Sequence, residues 1–177
     1  MGKAAAVAVA SRGGSVLIVS RSQDKLDSSA EEIRLAVPNV KLTTRVLDAS
    51  DEVAVQAFGE ELDTHEHRWD ALICTAAGKA PHGPIGELPT SDTAALFASK
   101  FWTAHNSCKH IAPRLTDGGA VALTAGVLNR RPGLNCSPLA AVNGALELNL
   151  ILTLIFTLTL TQIQTPNPNQ ARARGSH

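Results

Sequence analysis

Residues 118–147 read GGAVALTAGVLNRRPGLNCSPLAAVNGALE, and this stretch decides which fold the sequence predicts. Its pattern predicts a buried strand over Ala120–Thr124, a polar loop broken by Pro132 and Gly133, and a helix that begins near Ser137. Ligands of doubly wound α/β proteins bind at the carboxyl ends of such strands, so we expect the active site here. The one reactive side chain at this strand end is that of Thr124, which leaves the expected site with little chemistry.

The chain ahead of this stretch alternates short apolar runs with amphipathic segments. Such an alternation predicts an α/β fold, a Rossmann-like three-layer arrangement with a mainly parallel sheet. The apolar runs predict strands over Ala4–Ala10, Val16–Ser20, Val40–Leu47 and Asp70–Thr75. Helices are predicted from a cap at Ser22 to about Ala36, from Asp51 onward, and from Asp92 to about Leu115.

Composition sets the class of protein. The 177 residues suit one domain, and 44% hydrophobic against 18% charged residues suffices for a sizeable core. Sixteen basic residues balance sixteen acidic ones, so no nucleic-acid partner is expected. The three cysteines form no C-x-x-C motif, which predicts reduced thiols and a cytoplasmic location. No tyrosine is present anywhere in the chain.

The end of the chain changes character. Leucines recur with period 2 over Leu148–Ile163, which favours a strand; a membrane-anchored form is the less favoured alternative. Residues 164–177 are polar and predicted to be disordered. The organisation is therefore a domain over residues 1–147, an apolar segment over 148–163 and a tail over 164–177. His65 and His67 are two residues apart, which is not a metal-binding helix spacing, and no metal site is expected.

The order of these pieces from Ala4 to Glu147 resembles the short-chain dehydrogenase/reductase family, which moves hydride between a nicotinamide cofactor and a carbonyl or alcohol. Ser20-Arg21-Ser22, without an acidic residue, resembles the end of the second strand in NADP-linked members, where arginine pairs with the 2′-phosphate. Leu47-Asp48-Ala49 resembles the adenine-binding segment, and Thr75-Ala-Ala-Gly78 resembles the Asn-Asn-Ala-Gly segment with both asparagines replaced. The resemblance implies NADP as cofactor and the following binding residues: Ser20, Arg21, Ser22, Asp48, Ala49, Thr75 and Gly78.

The catalytic residues of that family are replaced. Alignment puts Ala125 or Gly126 at the family's serine, Leu139 at its tyrosine, Asn143 at its lysine, and Lys100 near its asparagine. Leucine and alanine cannot donate a proton, so the usual mechanism is excluded and no catalytic residue is assigned.

A second departure concerns the first two predicted strands. Only Ser11–Ser15 separates them, whereas parallel strands need a crossover of about a dozen residues. We therefore expect the helix that binds the cofactor diphosphate to be missing, which makes NADP binding doubtful. We also expect the carboxyl-terminal part of the domain to be missing. A truncated or spliced relative of a full-length reductase would have this form.

These observations leave three functions open. The first is an NADP-linked oxidoreductase that acts on a small-molecule carbonyl, alcohol or imine, with a secondary-metabolite pathway as its setting. The second is an inactive relative with a binding role only, as a homo-oligomer or in association with a full-length homologue. The third is reduction of an iminium, which is already cationic and needs no proton donor.

Overall fold

The structure is a computed structural model that describes residues 1–63 and 68–149. Six helices and four strands alternate along these residues. The helices are α1 (Gly2–Ala10), α2 (Gln23–Ala36), α3 (Glu52–Asp63), α4 (Thr90–Phe97), α5 (Thr103–His110) and α6 (residues 137–149). The strands are β1 (Val16–Ser20), β2 (Leu42–Val46), β3 (Trp69–Cys74) and β4 (Leu115–Leu123).

The four strands form two parallel pairs. β1 pairs with β2 in register from Val16 opposite Leu42, and β3 pairs with β4 with one irregularity between Trp69 and Ala71. Within the described residues no backbone ladder joins the two pairs. The α/β, Rossmann-like fold class with parallel strands is confirmed, because each pair is connected through a helix that returns the chain to the same edge of the sheet.

The prediction of a first strand over Ala4–Ala10 is wrong, because Gly2–Ala10 forms helix α1. The segment is apolar but rich in alanine, the best helix former, and its run of small residues does not carry a strand period. In the turn that follows this helix, Gly13 has a φ of +81°, a conformation that glycine adopts without strain. The five-residue link therefore joins a helix to β1, and no crossover between parallel strands is needed there.

The remaining predicted elements are close to those observed. Ser22 caps α2 by accepting a hydrogen bond from the backbone N–H of Lys25 at 3.3 Å, as predicted. The long helix predicted to about Leu115 ends earlier, at His110, and contains a π-helical turn over Ala98–Trp102. Leu115 itself is the first residue of β4.

Two buried clusters hold helices against the strands. Ala6 and Ala10 of α1 pack with Val16 of β1 and Ile33 of α2. The second cluster comprises Val55, Phe58, Leu62 and Ile111, and it contacts side chains of β1 and β3. Full burial of a residue such as Ile33 contributes about 1.5–3 kcal/mol. The helices thus cover the strands from both faces and fix where the strand ends lie.

Several predictions fall on residues outside the described part. His65 and His67 are among them, as are residues 150–163 of the apolar segment and the tail over 164–177. Residues 148 and 149 continue helix α6, so the predicted strand does not begin at Leu148. Across residues 1–63 and 68–149, no helix has the length and apolar character that crossing a membrane requires.

Candidate active site

The carboxyl ends of the strands gather side chains at one edge of the fold. Arg21 follows β1 and Asp48 follows β2, and the guanidinium Nη1 lies 3.9 Å from the carboxylate Oδ2. A Cβ added to Gly2, the first residue of α1, would lie 2.7 Å from the hydroxyl of Thr75, which follows β3. The amino-terminal end of α1 therefore lies at the same edge as the strand ends.

The turn after β1 presents Arg21 to solvent. The hydroxyl of Ser20 accepts a hydrogen bond from the backbone N–H of Ser22 at 3.4 Å, and the hydroxyl of Ser22 caps α2. Both serines hold the turn, whereas the Arg21 side chain is 62% exposed. The exposed ion pair between Arg21 and Asp48 is worth little in water, so the guanidinium is available to an anion.

The loop after β2 holds Asp48 as a carboxylate. Its Oδ1 accepts hydrogen bonds from the Ser50 hydroxyl at 2.6 Å and the Ser50 backbone N–H at 2.9 Å. These bonds lower the pKa of Asp48 below its ordinary value, with a smaller contribution from the charge of Arg21. The side-chain amide of the buried Asn106 donates to the carbonyls of Ala49 and Ser50, which ties this loop to α5. Sequence reasoning missed Asn106, because only the fold brings α5 to this loop.

The loop after β3 depends on a close approach to α4 and the π-helical turn. The Gly78 N–H donates to the Ser99 hydroxyl at 3.0 Å, and a Cβ on Gly78 would lie 2.4 Å from that oxygen. Only glycine fits this approach without a shift. A cleft of about 570 Å³ opens here, lined by Arg21, Gly78, Lys79, His82, Asp92 and Ser99 among others. Arg21 and Lys79 give this cleft two basic side chains, His82 adds an imidazole, and Asp92 adds an acidic group.

A buried contact joins the positions aligned with the family's asparagine and lysine. Lys100 lies in the π-helical turn with 7% exposure, and Asn143 lies on α6 with 1% exposure. The Lys100 ammonium donates to the Asn143 side-chain oxygen at 2.6 Å. Burial lowers the pKa of Lys100 below its ordinary value. A buried amine and a buried amide are thus in contact at the two positions that the sequence analysis predicted for the family's asparagine and lysine.

The remaining aligned positions carry no reactive group. Ala125 and Gly126 are exposed after β4, and Leu139 is half-buried on α6. A Cβ on Gly126 would lie 2.8 Å from the Asn143 side-chain nitrogen, so α6 approaches this loop closely. A second cleft of about 420 Å³ lies beside Ala125 and Gly126. At its rim Arg130 forms an ion pair with Glu147, which lowers the pKa of that carboxyl.

A family model described as enoyl-(acyl carrier protein) reductase matches residues 1–150. The chain belongs to the short-chain dehydrogenase/reductase family. Sulfoacetaldehyde reductase 2 of Chromohalobacter salexigens is 29% identical to this chain over 121 residues, which cover 68% of this chain and 47% of that protein. The NADPH-dependent reductase BacG of Bacillus subtilis is 26% identical over 148 residues, 82% of this chain and 57% of that protein.

Solved structures of short-chain dehydrogenases/reductases have the same fold. YwfH, an NADPH-dependent reductase involved in bacilysin biosynthesis, matches with a TM-score of 0.71 and 25% identity over 82% of this chain and 57% of that one. A short-chain oxidoreductase of Pseudomonas aeruginosa with an atypical catalytic center matches with a TM-score of 0.77 and 20% identity, over 89% of this chain and 60% of that one. The chain thus spans about half the length of these relatives.

Helix α1 corrects the expectation that no helix lies directly ahead of the strand Val16–Ser20. The helix is present, and its amino-terminal end lies beside Thr75 at the ligand edge of the fold. The error followed directly from reading Ala4–Ala10 as a strand, which left only five residues for the helix.

Proposed function

We propose that this short-chain dehydrogenase/reductase binds NADP(H) at the carboxyl edge of β1–β3 and serves as an NADP-linked oxidoreductase for a small-molecule carbonyl, alcohol or imine. One observation carries the proposal: the exposed Arg21 guanidinium lines the same 570 Å³ cleft as Gly78, with Lys79 and His82 on its wall. Clefts of this volume are typical of small-molecule sites.

The residues at this edge fit the adenosine end of the cofactor. Arg21 can pair with a 2′-phosphate through two parallel hydrogen bonds, and it carries no competing acidic neighbour closer than Asp48 at 3.9 Å. Ser20 and Ser22 fix the turn that presents it, and the family resemblance assigns Asp48 and Ala49 to the adenine ring. The lowered pKa of Asp48 keeps it an acceptor at neutral pH.

Thr75, Gly78 and α1 fit the diphosphate portion. The first N–H groups of an α-helix have no partner within the helix. At the start of α1, Met1 makes no side-chain capping bond to them. Such a helix end favours an anion.

The bound cofactor would supply hydride, and side chains of the protein would have to balance the charge that develops on the substrate. No tyrosine is available to donate a proton, and Ala125 and Leu139 cannot replace it. Arg130 lines the cleft beside Ala125, where it is paired with Glu147, and Lys100 is bonded to Asn143. The lack of a proton donor suits an iminium substrate, which is cationic before reduction and needs none.

A second function is supported by the same substitutions. An inactive relative with a binding role only is expected to lack the catalytic serine, tyrosine and lysine of the family. Binding of NADP(H) without turnover would favour that function, and association with a full-length homologue would then be its expected role.

Fluorescence titration of the full chain with NADPH and NADH tests the proposal. We expect NADPH to bind at least about tenfold more tightly, since a hydrogen bond to a charged group contributes about 1.5–3 kcal/mol. Arg21→Ala should abolish this preference. Arg12→Ala is the matched control, because Arg12 is exposed and its side chain donates to the Ala8 carbonyl on α1. Absence of NADPH binding at millimolar concentration would refute the proposal. Turnover of a cyclic iminium but not of the matching ketone would separate the two functions.

A further inference from the structure

Two loops at the carboxyl edge of the fold are tied to each other by a backbone hydrogen bond. The Gly83 N–H, in the loop after β3, donates to the Asn135 carbonyl, in the loop after β4, at 3.0 Å. Asn135 has a φ of +60°, in the left-handed region that asparagine adopts more readily than most residues. The sequence thus specifies how these loops meet. We call residues 83–88 and 127–135 together the loop platform.

Each half of the loop platform rests on a leucine of its own loop. A Cβ added to Gly83 would lie 3.3 Å from the Leu88 side chain, and one added to Gly133 would lie 3.3 Å from the Leu128 side chain. Both leucines are half-buried. The two loops therefore pack on apolar side chains beneath them as well as bonding to each other, which gives the platform a defined upper surface.

That upper surface exposes large apolar side chains. Leu134 is 88% exposed, Ile85 is 76% exposed and Val127 is 62% exposed. Leu134 directly precedes Asn135, and Ile85 follows Gly83 by two residues, so both lie beside the bond that ties the loops. One exposed leucine is ordinary on a protein surface, whereas several on tied loops indicate a site of contact.

The loop platform joins the two clefts of the candidate active site. The loop after β3 also carries Lys79 and His82, which line the 570 Å³ cleft together with Arg21. The loop after β4 carries Val127, which lines the 420 Å³ cleft together with Ala125. A substrate held between the cofactor cleft and the aligned catalytic positions would therefore lie against the platform.

We propose that Ile85 and Leu134 determine substrate specificity by packing against an apolar alkyl or aryl group that the substrate carries beside its reacting carbon. This inference rests on the proposed function, because it concerns the substrate of that reaction. Covering exposed apolar side chains is favourable in proportion to the apolar area removed from water. The bond between the loops holds both side chains in place before binding, which lowers the entropic cost of binding.

Two cyclic imines that differ in their alkyl group alone test the inference: 2-methyl-1-pyrroline and 2-butyl-1-pyrroline. In the reaction, C2 of the protonated ring gains hydride from NADPH, the C=N electron pair becomes the nitrogen lone pair, and NADP⁺ is the oxidised product. We expect kcat/KM of the full chain to be at least about tenfold higher for the butyl compound, because each methylene in an apolar site contributes to discrimination.

Serine substitutions on the loop platform provide the test in the protein. Leu134→Ser and Ile85→Ser should each lower the butyl-to-methyl ratio of kcat/KM at least about threefold and leave NADPH binding unchanged. Leu35→Ser is the matched control, because Leu35 is 76% exposed on α2 and should leave the ratio as it is. NADPH binding with equal kcat/KM for the two imines would overturn the inference and leave the proposed function in place.

Methyl NMR of the full chain without cofactor separates the inference from the proposed function. Titration with 2-butyl-1-pyrroline should shift the methyl resonances of Ile85 and Leu134 and leave those of Leu35 unchanged. These shifts in a chain that binds no NADPH would support the platform and refute the proposed function. Absence of the shifts would overturn the inference. Platform resonances that move with protein concentration, without imine, would overturn it in favour of a second copy.

Discussion

The buried contact between Lys100 and Asn143 allows the sharpest perturbation of the site. Asn143→Leu replaces the amide by an apolar group of similar size and leaves the ammonium of Lys100, 7% exposed, without the acceptor that lies 2.6 Å away. A hydrogen bond to a charged group contributes about 1.5–3 kcal/mol. We expect the free energy of unfolding to fall by about this amount.

A double-mutant cycle isolates the contact from the packing changes. Lys100→Met removes the charge and keeps the length of the side chain, and the double variant removes both partners. Urea unfolding of the four proteins should give a coupling energy of about 1.5–3 kcal/mol, with the double variant less destabilised than the sum of the single ones. A coupling energy below about 0.5 kcal/mol would refute the contact.

The lowered pKa of Lys100 gives the same contact a pH dependence. Burial makes the native state release this proton at a lower pH than the unfolded chain, whose ordinary value is 10.5. Between the two values the unfolded state binds more protons, so stability rises with pH in that window. The stability of the wild type relative to Lys100→Met should therefore increase as the pH approaches 10.5. A difference that stays constant or decreases would contradict the assignment.

Two further substitutions test the loops that carry the cleft. Gly78→Ala should cost about 1–3 kcal/mol in urea unfolding, because its Cβ would lie 3.0 Å from the Ser99 Cβ as well as against the hydroxyl, and adding Ser99→Ala should recover part of the loss. An unchanged midpoint for Gly78→Ala would show that the loop is not so close. Ser50→Ala should raise the pKa of Asp48 toward 3.8 in an NMR titration, because it removes the largest stabilising bond to the carboxylate. A carboxyl group whose pKa is lowered in the native state stabilises the fold above its unfolded pKa, and this stabilisation is lost as the pH falls. Ser50→Ala should therefore also make the free energy of unfolding less dependent on pH in acid. An unchanged Asp48 titration in Ser50→Ala would contradict this.

The sequence was sufficient wherever local signals agree with the fold. Apolar runs such as Val16–Ser20 and the cap at Ser22 follow from side-chain pattern and hydrogen-bonding chemistry, and both are observed. The alternation of such elements predicted parallel strands correctly. The failure at Ala4–Ala10 came from a local signal, because alanine is the best helix former and this run of small residues carries no strand period. That single error also produced the expectation that no helix lies ahead of Val16–Ser20.

Contacts between distant elements could not be predicted in the same way. The distance between Lys100 and Asn143 depends on how α6 packs on the π-helical turn, and no local pattern specifies that turn. The hydrogen bonds of Asn106 to the loop after β2 are similar, since 56 and 57 residues separate the partners. The sequence can identify candidate residues at strand ends, whereas only the fold shows which of them are in contact.

The central claim is that Arg21 and the neighbouring strand ends hold the 2′-phosphate of NADP(H). Calorimetric titration of the full chain with 2′,5′-ADP and with 5′-AMP tests this without the nicotinamide end. The two ligands share the adenosine and the 5′-phosphate and differ in the 2′-phosphate alone. We predict that 2′,5′-ADP binds at least about tenfold more tightly and that Arg21→Ala removes the difference. Equal affinities for the two ligands, or binding of neither, would contradict the claim.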